Sequence, residues 1–363
     1  MKGRLESLDF VKGLLIVLVV WGHICAHSSG IDYEKNMLTS YIRLFQMPMF
    51  ILISGFFQKT IASSGDLLIR VRKTFLNIGL PLFVWALIAS LVMWGLQIIG
   101  LYDFSINTLI SFSRTVYANI FFYWFLPCLI ICILLNAIIG YVANRFSIRA
   151  LYLHIASIPL ILLIPIDMFY FQFMWPFFIL GIYLHELAQK DYMVAILEGN
   201  APNQLEKLLY VIWGGVIICS LFWPTKYTFY NINNYIFLNN FQVVNAVIFI
   251  ILRQVIYIVA TLVTLYFILK LYYLNKDNRV IGFISNIGKE TLFIYLFHLL
   301  IVAYLFGVVV KQMTNGLGLM PNAPFLRYYV LDVFLTLLII MFSHWLYGRI
   351  GKSKLMSKLL LGK

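Results

Sequence analysis

Ten apolar segments run through this chain, separated only by short stretches, at about 10–28, 38–58, 76–99, 118–140, 150–166, 168–187, 206–223, 243–273, 286–310 and 328–350. An apolar run of about 20 residues crosses the hydrocarbon core of a bilayer as a helix. The helix is the form that satisfies every backbone amide of a single segment without water. Composition agrees with that reading. Of the 363 residues, 62% are hydrophobic and only 11% are charged, whereas a soluble domain carries about 25% charged residues. So little charge cannot cover a soluble surface, and so much apolar side chain excludes disorder. The expected fold is all-α: a polytopic integral membrane protein with about ten transmembrane helices. It is expected to form one domain over 1–363 with no appended soluble domain.

The formal net charge of +13 does not point to nucleic acid, because the basic residues punctuate apolar runs instead of gathering on a domain. With the N-terminus in the cytoplasm, 18 Lys and Arg fall on the inner side and 7 on the outer, and Lys12 and Lys289 lie inside spans. Cytoplasmic loops carry the excess of Lys and Arg. The count therefore favours both termini in the cytoplasm, in the cell membrane. The first segment reads as a retained helix rather than a signal peptide, since Asp9 and Lys12 intrude on its start and Trp21, Gly22 and His23 interrupt its apolar core. Cys25, Cys128, Cys132 and Cys219 all sit in apolar stretches with no paired-Cys spacing, and read as packing residues.

Ionisable groups inside a membrane helix are costly and mark candidate functional sites. In RLESLDFVKGLLIVLVVWGHICAH, Lys12 and His23 are eleven residues apart. At 100° per residue they lie about 20° apart on one helix face and about 16 Å apart along the axis. Asp9 lies within about 40° of His23 on that face. The three form a polar track entering from the cytoplasm; equally, Asp9 and Lys12 read as interfacial anchors and His23 as a core histidine. His23 and His27 have the i, i+4 spacing of helical metal sites, but the glutamate of HExxH is absent, and no metal is expected. In GKETLFIYLFHLLIVAY, Thr291, Tyr295 and His298 share a face. Glu290 needs a partner, for which Lys12 or His23 is the expectation.

Arg70, Arg72 and Lys73 form a basic cluster just before the third span. It suits either an anionic ligand with several phosphates or anionic lipid. The outer stretch 223–241 interleaves aromatic residues with Asn, a composition shared by sugar-stacking surfaces and interfacial aromatic belts. Pro48, Pro81, Pro127, Pro159, Pro165 and Pro176 fall in or beside spans and suggest kinked helices around a cavity. His154, His185, His344, Arg253 and Asp332 carry no motif.

Five blocks in order resemble the acyltransferase family 3 membrane proteins, which include polysaccharide O-acetylases. They are RLESLDFVKGLLIVLVVWGH, FQMPMFILISGFF, RVRKTFLNIGLPLFVW, YWFLPCLI and GKETLFIYLFH. Lys12 stands at the usual Arg position, as in the branch similar to fucose O-acetylases, and Gln46 stands where His is frequent in that branch. The resemblance implies a ten-helix core that takes an acyl group from cytoplasmic acyl-CoA as co-substrate, with no bound cofactor. The group would pass to a hydroxyl of a cell-surface or exported polysaccharide or its lipid-linked precursor. Acetyl is the family default, and succinyl is an alternative.

His23 would then be the catalytic histidine, acting as general base or through a transient acyl-histidine, with Glu290 or Asp9 orienting it. Lys12, Arg70, Arg72 and Lys73 would bind the donor. Trp124, Tyr295 and His298 would line the cavity or the acceptor side. Expected partners are acyl-CoA, the glycan acceptor, the lipid bilayer and other polysaccharide-assembly proteins, and no nucleic acid. A transporter or flippase of a glycan or lipid-linked intermediate shares the helix count and the buried polar groups, but does not account for the order of the five blocks.

Overall fold

A computed structural model describes residues 2–29, 37–58, 61, 63–101, 105–162, 164, 169–222, 230, 243–306 and 327–363. The aromatic and Asn-rich stretch 223–241, apart from Tyr230, lies outside the described residues, as do Lys35, Lys59, Lys226 and Lys311.

The chain is all-α among the described residues. Helices α1 (Lys2–Ser29), α2 (Met37–Phe56), α3 (Ser64–Thr74), α4 (Leu80–Ile98), α5 (Leu109–Phe122), α6 (Phe125–Arg145) and α7 (Ala150–Leu162) form the first half. Then come α8 (Phe171–Leu187), α9 (Asp191–Leu197), α10 (Asn203–Phe222), α11 (Val243–Leu274), α12 (Arg279–Gly288), α13 (Thr291–Leu299) and α14 (Asp332–Ile350). Among the described residues, each of the ten apolar segments contains helix. Among the described residues, six stretches are long and apolar enough to cross a membrane, and α12 with α13 makes a seventh if that bent pair is one span, against the ten expected. Large apolar side chains such as Val211, Phe222, Ile251, Phe334 and Trp345 stand exposed along these helices. Soluble monomers rarely expose so much contiguous apolar surface, and these faces match a lipid environment. The chain is a multi-pass membrane protein.

Three spans differ in form from the sequence reading. The third begins earlier: α3 starts at Ser64 behind a capping box between Ser63 and Asp66. It reaches α4 through a π-helical turn, Phe75–Gly79. The fourth is divided at Tyr123–Trp124, where α5 ends and α6 begins. Pro127 lies in the first turn of α6, where its missing amide hydrogen leaves no helical bond unmade. The ninth is broken at Lys289–Glu290, and its halves meet at 75°.

Between helices in a membrane there is no water to expel, so close packing of small residues holds them together. In the α2–α8 pair, Gly55 of α2 lies against the Phe178 carbonyl and Gly181 of α8 against the Leu52 carbonyl. A methyl group at either position would overlap backbone that cannot rotate away. This pair anchors an aromatic core in which Trp175, Phe173, Phe177 and Phe178 are all buried. Beside it, α7 is fixed by His154, which bonds Tyr183 at 2.9 Å through Nδ1 and Asn136 at 3.0 Å through Nε2. That residue is a satisfied structural histidine. All four cysteines are free thiols.

Candidate functional site

The polar face expected for α1 is present. Asp9 and Lys12 pair at 2.7 Å, a turn apart at one end of the helix. The Lys12 ammonium also lies 5.9 Å from the Phe57 ring. Lys12 lines a cavity of ≈ 160 Å³ bounded by α1, α2, the π-helical turn, α6 and α13. Ile16 continues that wall on α1; Met47, Phe50 and Ser54 contribute from α2; Phe125, Leu126 and Leu129 contribute from α6. Thr291 and Tyr295 close it from α13. The cavity is thus apolar along its walls, with a cation at one side and a phenol at the other.

Beyond Tyr295 the polar track continues. The Tyr295 and His298 ring centroids are 5.8 Å apart, and those of His298 and His23 are 5.3 Å apart, tilted by 52°. Helical spacing alone puts Thr291, Tyr295 and His298 on one face, and that face meets the polar face of α1. His298 is completely buried and its Nδ1 lies 2.8 Å from the Ile294 carbonyl. A carbonyl only accepts, so Nδ1 carries the hydrogen. His23 is half-buried. His27 is exposed and turns its Nδ1 to the backbone carbonyl of His23, at 2.8 Å. It does not converge with His23 as a ligand pair.

The Asp9–Lys12 end of α1 is held against the elbow of the bent span by two glycines. Gly288, the last residue of α12, lies on the Asp9 carbonyl, and Gly13 lies on the Ile284 carbonyl. Glu290 follows at the cap of α13 with non-helical backbone, φ −112° and ψ 8°. That turn corrects the expected pairing of Glu290. Its carboxylate is bonded to His344 of α14, whose Nδ1 is 3.0 Å from both oxygens, rather than to Lys12 or His23. The elbow directs Glu290 toward α14, while Lys12 is paired with Asp9. His344 was invisible to sequence reasoning, since 54 residues separate it from Glu290 and no local motif joins them.

Arg70, Arg72 and Lys73 lie at the end of α3, with Arg70 half-buried and the other two exposed. Ile78, which lines the cavity, follows Arg72 by six residues, about 9 Å along a helix axis. The cluster is therefore not part of the cavity wall. π-Helical turns occur often at functional positions, and here Phe75–Gly79 lies between the cluster and the cavity. The far end of the chain braces this turn: Trp85 Nε1 donates to the Leu360 carbonyl at 3.1 Å, and Gly362 lies on the Asn77 carbonyl.

Trp124 does not line the cavity. Its ring packs against Tyr170 at 4.8 Å and Tyr230 at 5.7 Å. These lead to Phe173 and Tyr257, over which the buried Arg253 guanidinium lies at 4.7 and 5.7 Å.

The helix bundle thus holds a cavity lined by Lys12 and Tyr295, and beside Tyr295 lie two adjoining imidazoles, His298 and His23. Such a site belongs to a group-transfer protein more readily than to a passive scaffold. Residues 5–345 match the acyltransferase domain profile, and the chain belongs to acyltransferase family 3. It is similar to Nodulation protein NolL of Mesorhizobium japonicum (strain LMG 29417 / CECT 9101 / MAFF 303099), 26% identical over 310 residues, 80% of this chain and 74% of that one. It is also similar to Nodulation protein NolL of Sinorhizobium fredii (strain NBRC 101917 / NGR234), 24% identical over 233 residues, 62% of this chain. That second alignment spans 59% of the relative's length. No solved structure matches the chain.

Proposed function

We propose that this protein is a membrane-bound O-acyltransferase of the cell membrane. It takes an acetyl or other short acyl group from cytoplasmic acyl-CoA and places it on a hydroxyl of a cell-surface or exported polysaccharide, or of its lipid-linked precursor. The reading includes a ten-helix core with both termini cytoplasmic. The observation that supports it best is the adjoining His23–His298 pair, which lies beside Tyr295 of the cavity that Lys12 also lines.

A sugar hydroxyl is a poor nucleophile until its proton is removed, and a neutral imidazole within hydrogen-bond reach removes it as attack proceeds. In this mechanism a ring nitrogen of His23 takes the proton while the hydroxyl oxygen bonds to the thioester carbon. The carbon–sulfur bond breaks, and the departing sulfur takes the proton back from His23 as the CoA thiol. Lys12 and the α3 cluster serve the anionic donor; Thr291 and Tyr295 offer hydroxyls along the path. Asp9 and Glu290 act at a distance from His23: Asp9 holds Lys12, and Glu290 with His344 ties the elbow to α14.

The test is turnover of labelled acetyl-CoA by the purified protein in lipid vesicles. Release of free CoA thiol dependent on a glycan acceptor supports the reading. Glycan crossing the bilayer with no acyl-CoA requirement would establish the transporter instead. Within that assay, replacing Arg70, Arg72 and Lys73 together by Ala is expected to raise KM for acyl-CoA roughly tenfold, about 1.4 kcal/mol of lost contact. Turnover at saturating donor should change little. An unaltered KM would reassign the cluster to lipid anchoring.

A further inference from the structure

The two imidazoles at the end of the track are not equivalent. His298 has no exposed surface, and its Nδ1–H donates to Ile294. In the neutral ring Nε2 is then an acceptor only. That nitrogen is buried with no hydrogen-bond partner among the described residues. A buried polar atom left unpaired costs about 1–3 kcal/mol, so a helix does not carry one without a compensating use. The adjacent ring is His23, 5.3 Å away between centroids. As placed, the two rings make no hydrogen bond; a His23 ring turned so that one nitrogen points at Nε2 would bring the pair to about 3 Å across that spacing, within hydrogen-bond length. His23 is half-buried, so of the two it is the one that a substrate hydroxyl can touch. The carboxylates that might otherwise orient it are committed: Asp9 to Lys12 and Glu290 to His344.

We propose that His298 is the positioning residue for His23: its Nε2, unpaired in this structure, accepts the ring N–H of His23 when that ring turns toward it, and so fixes which His23 nitrogen is left bare. The inference rests on the acyltransferase reading and deepens it, since it assigns the orienting role to a second imidazole rather than to a carboxylate. With one nitrogen of His23 bonded to His298, the other faces the acceptor hydroxyl as a lone pair. When it takes the hydroxyl proton, His23 holds one hydrogen toward His298 and one toward the reacting groups, and returns the latter to the leaving sulfur. His298 gains and loses no proton. The Nδ1 bond to Ile294 prevents its ring from flipping and presenting a donor to a donor.

Two substitutions separate this role from packing. His298→Phe keeps a ring and removes both nitrogens, whereas His298→Gln returns an acceptor oxygen near the position of Nε2. Both are read as kcat and KM per folded protein in lipid vesicles. The Phe variant is expected to lose roughly 100-fold in kcat, within the range that a positioned acid–base group contributes, with KM for acetyl-CoA unchanged. The Gln variant is expected to keep kcat within about tenfold of the wild type, as partial replacement of one hydrogen bond implies. If the Phe variant does not accumulate, His298→Leu takes its place in the comparison. Wild-type kcat in the Phe or Leu variant, or equal losses with Gln and with the apolar residue, would overturn the proposal. Wild-type protein that turns over no acyl-CoA at all would instead sink the acyltransferase reading.

Discussion

Replacing His23 by Ala is expected to remove acyl transfer while the protein still accumulates in the membrane. The expected loss in kcat is roughly 100- to 10,000-fold, the span attributed to a general base. The fold should survive because His23 is half-buried, whereas the core of α1 is built by Val11, Leu15, Val19, Val20 and Ile24, all buried. The loss should fall on turnover, since the cluster proposed to bind the donor lies at the end of α3 and His23 lies on α1. A His23→Ala protein that binds acyl-CoA and fails to transfer it would separate binding from chemistry. Labelled acetyl-CoA in vesicles, with CoA thiol release as readout, measures both. Transfer at the wild-type rate would remove His23 from the mechanism.

The second large effect is expected at a residue with no polar atom in its side chain. Gly288 ends α12 where the Asp9 carbonyl of α1 lies against it, and Gly13 makes the reciprocal approach to Ile284. A methyl group on Gly288 would overlap main-chain atoms, which have no rotamer to escape into. Overpacking of that kind costs roughly 1–3 kcal/mol, occasionally more. The elbow must then lift from α1, which moves Glu290 and Thr291 relative to Lys12. Gly288→Ala is therefore expected to lower the thermal midpoint of the detergent-solubilised protein and to depress acyl transfer together. Gly282 supplies the control: it lies on the same helix with open space where a side chain would go. There Ala replaces Gly in a helix interior, worth about 0.5–1 kcal/mol in favour of the helix. Gly282→Ala should melt at or above the wild-type temperature. Equal melting of the two variants would mean that the α1–α12 seam is not a close contact.

Much of this site was legible one helix at a time. The 3.6-residue period placed Asp9, Lys12 and His23 on one face and Thr291, Tyr295 and His298 on another, and those faces meet at the His23–His298 pair. What periodicity cannot supply is the pairing between helices. Nothing local in the chain relates Glu290 to His344, so the partner of Glu290 was assigned to the wrong helix. The elbow escapes a reading by apolar length because the ninth expected segment starts only at about 286, so that α12, 10 residues long, lies mostly before it. Ser285, Asn286, Lys289 and Glu290 already interrupt the apolar residues there, and Gly288 with the cap at Glu290 divides the two helices. Trp124 belongs to a family-like block, yet its ring packs on Tyr170 and Tyr230 and is not among the cavity-lining residues; an aromatic residue at a helix start has no signature that tells which side it will face. The spans were read from apolar length, a robust signal, whereas α7 with 13 residues and α8 with 17 show how far a helix can fall below full bilayer length and still pack among its neighbours.

The central claim is that this chain transfers an acyl group to a glycan hydroxyl. Mass spectrometry of surface and exported glycans from cells that contain the protein, set against cells that lack it, tests that claim most directly. The account predicts an alkali-labile mass increment of one short acyl group per modified sugar, present only with the protein and absent when His23→Ala replaces it. Identical glycan spectra with and without the protein would contradict it.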